Sequence, residues 1–183
     1  QIRTASEHGE ETLVQPLITF KEQPDFKEPD IHTKNIFEPR EPVIKEAGHL
    51  ASITEHFYEK INFLRNQYHL PELVFHPKLK EMASLQSQRM SEQNQLEHSS
   101  KSLKQRLRKQ HVRVLRAGEN IAQYAELDQP SDIDDVLKQF LESPSHRMNL
   151  LDPDYQYVGI SLKRSEKETH APHYISLVFA EMK

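Results

Sequence analysis

The sequence predicts an α+β domain built as a three-layer α-β-α sandwich with a central antiparallel sheet. Several segments between residues 50 and 151 carry apolar residues at every third or fourth position, which indicates helices. Two strand-like segments close the chain, and both are apolar on both faces. A sheet of this kind has to be covered by helices on each side, and this requirement gives the three layers.

The first 47 residues differ from the rest of the chain. They contain frequent acidic residues, no helical periodicity and five of the eleven prolines: Pro16, Pro24, Pro29, Pro39 and Pro42. This composition predicts an extended or disordered arm over residues 1–47, followed by the folded domain over residues 48–183. Short apolar clusters such as Leu13-Val14 leave open a second arrangement, in which parts of the arm dock loosely on a surface.

Three helices are predicted in the first half of the domain. The apolar stripe of residues 50–68 marks the first of them. Pro77 suits the first position of a second helix, which runs to about Gln93. Residues 102–110 can form a short basic helix.

Two further helices and the strands follow. Ser131 is the predicted N-cap of a strong helix after Pro130, and Ser143-Pro144 begins a short helix in SPSHRMNLL. The stretch VRVLRAGENIA is predicted to be a strand followed by a loop, with Gly118 allowing a turn. Residues 157–163 and 173–180 are the two closing strands, and two histidines beside the last strand are predicted to be exposed: His170 and His173.

Composition excludes several classes of function. The chain has no cysteine, which rules out disulfides, thiolate catalysis and cysteine-based zinc sites. No run of 18 apolar residues is present, so no transmembrane segment is predicted. The net charge of −4 gives no general attraction to nucleic acid.

The run KSLKQRLRKQHVR is the one basic stretch. Its lysines and arginines would suit contact with an anionic membrane surface, although a solvated helix face is the more ordinary interpretation. It has no interleaved aromatic residues for stacking on bases, and nucleic acid is therefore not a predicted partner.

His146 raises a chemical question. It lies in the first turn of the predicted short helix, where backbone N–H groups lack partners and the helix dipole is positive. This position favours a neutral imidazole. A neutral ring can bind a metal, act as a general base, or simply form hydrogen bonds in a core, and the residues alone leave these alternatives open.

The domain as a whole resembles a known family. Its landmarks, in order, are INFLRNQYHLPELVFHPKLKEMA, EHSS, GENIA, FLESPSHRMNLLDPDYQYVGISL and HYISLVFAE. Over about residues 50–181 this set resembles the CAP superfamily of cysteine-rich secretory, antigen 5 and pathogenesis-related proteins, and most nearly its compact bacterial form, the SCP-like extracellular domain. The resemblance implies the α-β-α sandwich and a secreted or cell-surface location.

The resemblance also implies a cleft with two histidines and two acids that can hold a divalent metal such as zinc. His98 in EHSS matches the first histidine, Glu119 in GENIA the first acid, and His146 in SPSHR the second histidine. The second acid departs from the pattern, because its matching position is Ser143, and Glu142 is one residue away. Compact bacterial members often lack this acid.

Two functions are expected from these features. The preferred one is a non-enzymatic, extracytoplasmic module that requires no cofactor and binds a small apolar or lipid molecule, a glycan or a protein in its cleft. The alternative is a metal-dependent hydrolase, in which His98 and His146 hold zinc while Glu119 and His146 are the candidate catalytic residues.

Overall fold

In the computed structural model of the chain, residues 2–5, 11–19, 49–125, 127, 130–165 and 172–183 are described. They form five helices: α1 (His49–Gln67), α2 (Pro77–Gln93), α3 (Leu103–Lys109), α4 (Pro130–Glu142) and α5 (Pro144–Leu151). They also form six strands: β1 (Ile2–Ala5), β2 (Glu11–Thr19), β3 (Val74–Phe75), β4 (Val114–Tyr124), β5 (Tyr157–Arg164) and β6 (His173–Met182).

The strands make one sheet in the order β1-β2-β4-β6-β5-β3. All pairs are antiparallel except the two-residue pairing of β3 with β5. Helices α2 and α3 pack on one face of the sheet, and α1, α4 and α5 pack on the other. The predicted three-layer α-β-α sandwich is therefore confirmed.

Parts of the predicted N-terminal arm are strands. Strand β2 pairs with β4 over residues 13–19, and β1 pairs with β2. The other arm residues, including Ile36-Phe37, lie outside the described residues. The division of the chain at residue 47 stays a prediction.

Strand β6 shows why both faces of the sheet are apolar. Its residues Ile175, Leu177 and Phe179 belong to the core formed with α1, α4 and α5. Val178 and Ala180 belong to the core formed with α2 and α3. Since successive side chains of a strand point to opposite faces, one continuous apolar run serves two cores.

Four local predictions are wrong. Strand β4 continues through GENIA to Tyr124, so no loop begins there. Gly118 lies within that strand, where a Cβ would come 2.3 Å from Oδ1 of Asn149, so the glycine is needed for close approach and not for a turn. Helix α4 begins at Pro130, which makes Ser131 a helical residue and not the N-cap. His173, the first residue of β6, is buried and only 5% exposed, whereas His170 lies outside the described residues.

A second glycine sets how closely helix α2 approaches the sheet. A Cβ on Gly159 of β5 would lie 2.0 Å from the carbonyl carbon of Leu79 and 2.2 Å from the backbone nitrogen of Lys80. The first turn of α2 therefore rests directly on the backbone of β5. Backbone atoms on both sides leave no flexible side chain to move aside.

We expect Gly159→Ala to destabilise the domain by about 3 kcal/mol, at the upper end of typical overpacking costs, because helix α2 has to shift away from β5. Urea unfolding followed by circular dichroism measures the loss. Ser84→Ala, at an exposed position of the same helix, is the control and should unfold like the wild type. An unchanged midpoint for Gly159→Ala would contradict this close packing.

Arg65 is a fully buried cation near the end of α1. Its Nε donates to the carbonyl oxygen of Pro71 at 2.8 Å, and its Nη1 donates to those of Leu150 and Asp152 at 2.9 and 3.0 Å. Its Nη2 donates to the carbonyl oxygen of Tyr155 at 3.3 Å. The guanidinium thus joins α1 to the C-terminal end of α5, where helix carbonyl groups lack intrahelical partners. Burial lowers the pKa of Arg65 to about 10, and the side chain stays protonated at neutral pH.

Arg65→Met is expected to cost about 3 kcal/mol of unfolding free energy, because it leaves carbonyl oxygens without their donor and each unsatisfied buried group costs about 1–3 kcal/mol. Arg65→Lys should also be destabilised, since an ammonium group cannot reproduce the planar fork of N–H donors. Chemical denaturation checks both, with the exposed Gln67→Ala as the control. A lysine variant as stable as the wild type would show that charge alone matters at this position.

Candidate functional site

Strand β4 sends the residues of GENIA to opposite sides of the sheet. Ala117 and Ile121 pack with the α2 side, whereas Ala122 and Tyr124 belong to the core on the α4–α5 side. By the alternation of a strand, Glu119 faces α2 and α3. Asn120 faces α5, as its hydrogen bonds also show.

Glu119 is fully buried, and both of its carboxylate oxygens are engaged. Oε2 lies 2.8 Å from Nδ1 of His98. Oε1 accepts a hydrogen bond from Nη2 of Arg106 at 2.8 Å. A buried carboxylate is stable only when it is paired and hydrogen-bonded, and these two partners meet that need. These three side chains form the charged cluster His98–Glu119–Arg106.

Helix α3 positions Arg106. Ser102 and Gln105 form a reciprocal capping box at its start, which fixes the first turn. Leu103 and Leu107 are fully buried against the sheet. Because Arg106 is three residues after Leu103, it lies beside the buried face of the helix and reaches the carboxylate.

The segment after helix α2 positions His98. Nε2 of Gln86 donates to the carbonyl oxygen of Glu97 at 2.7 Å, and Arg89 donates to the same oxygen. These bonds hold the backbone beside His98 close to α2. The His98 side chain is 14% exposed, so the cluster reaches solvent at this residue.

His146 has different surroundings. It is fully buried in α5, and its ring centroid lies 5.0 Å from that of Phe140 in α4. Its carbonyl oxygen accepts a hydrogen bond from Nδ2 of Asn120 at 3.1 Å, and Asn120 Oδ1 accepts one from Asn149. His146 therefore lies on the α4–α5 side of the sheet, opposite Glu119.

The structure brings His98 and Glu119 together, and the placing of His146 and Glu142 in the same cleft stays a prediction. The pairing of His98 with His146 as metal ligands also stays a prediction; helix α5, which carries His146, packs on the face of the sheet opposite the one that Glu119 faces. Glu142 is exposed at the end of α4, on the same side of the sheet as His146. Over the ranges that the structure describes, no group of three or more His, Asp or Glu residues is arranged to hold a metal ion.

Sequence reasoning missed Arg106 and Asn120. Arg106 was part of the basic run, and the only signal for its role was its place beside the two leucines that α3 buries. Asn120 is the polar residue of GENIA that ties α5 to the sheet. Nothing in the sequence distinguished it from a solvated asparagine.

Comparison with known proteins identifies the class. The family model described as "CAP: Cysteine-rich secretory protein family" matches residues 58–179. This match covers more than half of the chain, and the chain belongs to that family. The predicted membership is thereby confirmed.

Particular relatives agree with this assignment. The chain is 37% identical over 106 residues to the uncharacterized membrane protein YlbC of Bacillus subtilis, a match that covers 56% of this chain and 29% of that relative. An outer surface protein of Borrelia burgdorferi shares the fold with a TM-score of 0.64 and 21% identity, over 72% of this chain and 94% of the other. An extracellular protein of Bacillus anthracis that contains an SCP domain has a TM-score of 0.60 and 22% identity, over 77% and 45%.

Within the described parts of the chain, no helix is both long enough and apolar enough to cross a membrane.

Glu119→Ala is expected to destabilise the domain by about 3 kcal/mol, because it leaves Arg106 as a largely buried cation without its partner. Glu119→Gln should lose less, since its amide oxygen can still accept one hydrogen bond. Thermal or urea unfolding measures the order of stability. Glu142→Gln changes an exposed acid and should cause no measurable loss of stability. Equal losses of stability for the Glu119 and Glu142 variants would contradict the role of Glu119.

Proposed function

We propose that this CAP domain acts outside the cytoplasm as a non-enzymatic binding module. Its ligand belongs to one of three classes that the family resemblance implies: a small apolar or lipid molecule, a glycan, or a partner protein. The proposal has two parts, the absence of catalysis at the charged cluster and the location of the domain.

The state of Glu119 is the observation that supports the first part. A general base must present a carboxylate oxygen to the proton that it removes. Glu119 is fully buried, and its two oxygens accept bonds from His98 and Arg106. A residue held in this way stabilises the fold around it and is poorly suited to exchange protons with a substrate.

The names of structural neighbours support the second part. One neighbour is described as an outer surface protein and another as an extracellular protein, and both share the fold over more than two thirds of this chain. We extend that location to this chain as part of the proposal. The chain spans less than a third of its Bacillus subtilis relative, which is described as a membrane protein.

Exposed basic residues support contact with an anionic membrane surface. Lys101, Arg108, Lys109 and Arg113 are exposed on and around α3. Such a group attracts anionic lipid headgroups at low salt, and the attraction weakens as ionic strength rises. The domain would touch only the surface of the membrane, and this contact would be additional to the binding of its ligand.

The hydrolase alternative needs His98, Glu119 and His146 to converge on one metal-bound water. The described residues do not favour this convergence, because helix α5, which carries His146, packs on the other face of the sheet. The same experiments that test the binding module also test this alternative.

The absence of catalysis is tested with purified protein. Ester, peptide and glycan substrates are incubated with the wild type and with His98→Ala, with and without added zinc. The expected result is the same background turnover for both proteins. Turnover that requires His98 would establish the hydrolase and overturn this part of the proposal.

Location is tested separately in the native host cells. We expect the domain to be recovered from the medium or to be digested by protease added to intact cells, while a cytoplasmic marker stays protected. Recovery of the domain solely from the cytoplasm would contradict the proposed location without affecting the result on turnover.

A further inference from the structure

The charged cluster His98–Glu119–Arg106 contains its own cation. In the metal sites that the family resemblance implies, a divalent ion supplies the positive charge beside the acidic residue. Here the Arg106 guanidinium lies 2.8 Å from Oε1 of Glu119. The carboxylate therefore has a full positive charge next to it that belongs to the chain itself.

The residues present do not fit a zinc ion. A zinc site requires at least three protein ligands, and an ion held by fewer is bound weakly. His98 and Glu119 are one pair, whereas His146 belongs to helix α5, which packs on the other face of the sheet. Arg106 is bonded to one carboxylate oxygen and His98 to the other, so an ion at Glu119 would have to compete with these two partners.

We propose that the Arg106 guanidinium takes the place of the divalent cation in this CAP domain. The site is then assembled without metal, and zinc is excluded from it. The inference deepens the proposed function, because it concerns the same cluster and rests on the cluster being non-catalytic. It implies that the ligand is recognised without a metal bridge.

Electrostatics favour this substitution. Glu119 is fully buried and Arg106 is 11% exposed, so the two charges interact with little screening by water. A divalent ion at the same carboxylate would stand beside the guanidinium and be repelled by it. The guanidinium also cannot leave easily, since α3 is anchored by Leu103 and Leu107.

The experiment measures zinc binding after removal of metals with EDTA, by calorimetry and by the zinc-dependent change in melting temperature. Wild type and His98→Ala should respond to zinc alike, because exposed histidines elsewhere contribute equally to both. Arg106→Met removes the guanidinium and should bind zinc at least about tenfold more tightly than the wild type. Mutations of residues that contact metal ligands typically change metal affinity by about this factor. Arg106→Met combined with His98→Ala should lose that gain.

Arg108→Met is the matched control, since Arg108 is exposed on the same helix. It and Arg106→Lys, which keeps a positive charge beside Glu119, should show no gain in zinc affinity. If Arg106→Met does not fold, the comparison of wild type with His98→Ala still shows whether zinc binds at the cluster.

Two results would overturn the inference. One is a wild type that binds one equivalent of zinc and loses it in His98→Ala. The other is a folded Arg106→Met variant without a His98-dependent gain. The turnover test gives a separate result: turnover that requires His98 would refute the proposed function, whereas zinc binding without turnover would refute only the role of Arg106.

Discussion

The arrangement of this domain depends on the two-residue alternation of its central strands. Strands β4 and β6 are covered by helices on both faces, and neighbouring residues of each strand enter different cores. Glu119 and Asn120 are consecutive in the chain, yet one joins α3 and the other joins α5. Two residues that are neighbours in such a strand therefore have their side chains on opposite faces of the sheet.

Polar side chains join the helices to each other and to the sheet. Arg65 donates to backbone carbonyl groups of four residues and fixes the end of α5 against α1, while Asn120 and Asn149 tie the middle of α5 to β4. The helix that carries His146 is thus held at several points along its length. The His146 ring packs on Phe140 in this layer.

The charged cluster on the other face is likewise held by contacts between polar side chains of the chain. Its carboxylate is buried, and the chain supplies two partners for it. The CAP fold is established by the family match over residues 58–179, but a fold does not determine a function.

The sequence by itself determined the class of fold, the order of the elements and the pairing of His98 with Glu119 in one site. Periodicity identified α1, α2 and the closing strands, because each repeats its apolar pattern over many residues. Only the tertiary structure decided that helix α5, which carries His146, packs on the face opposite Glu119, that Glu142 is exposed, and that Arg106 completes the cluster. The physical reason is that the register and facing of β4, together with the seating of α3, arise from contacts between residues far apart in the chain. Local patterns do not encode such contacts.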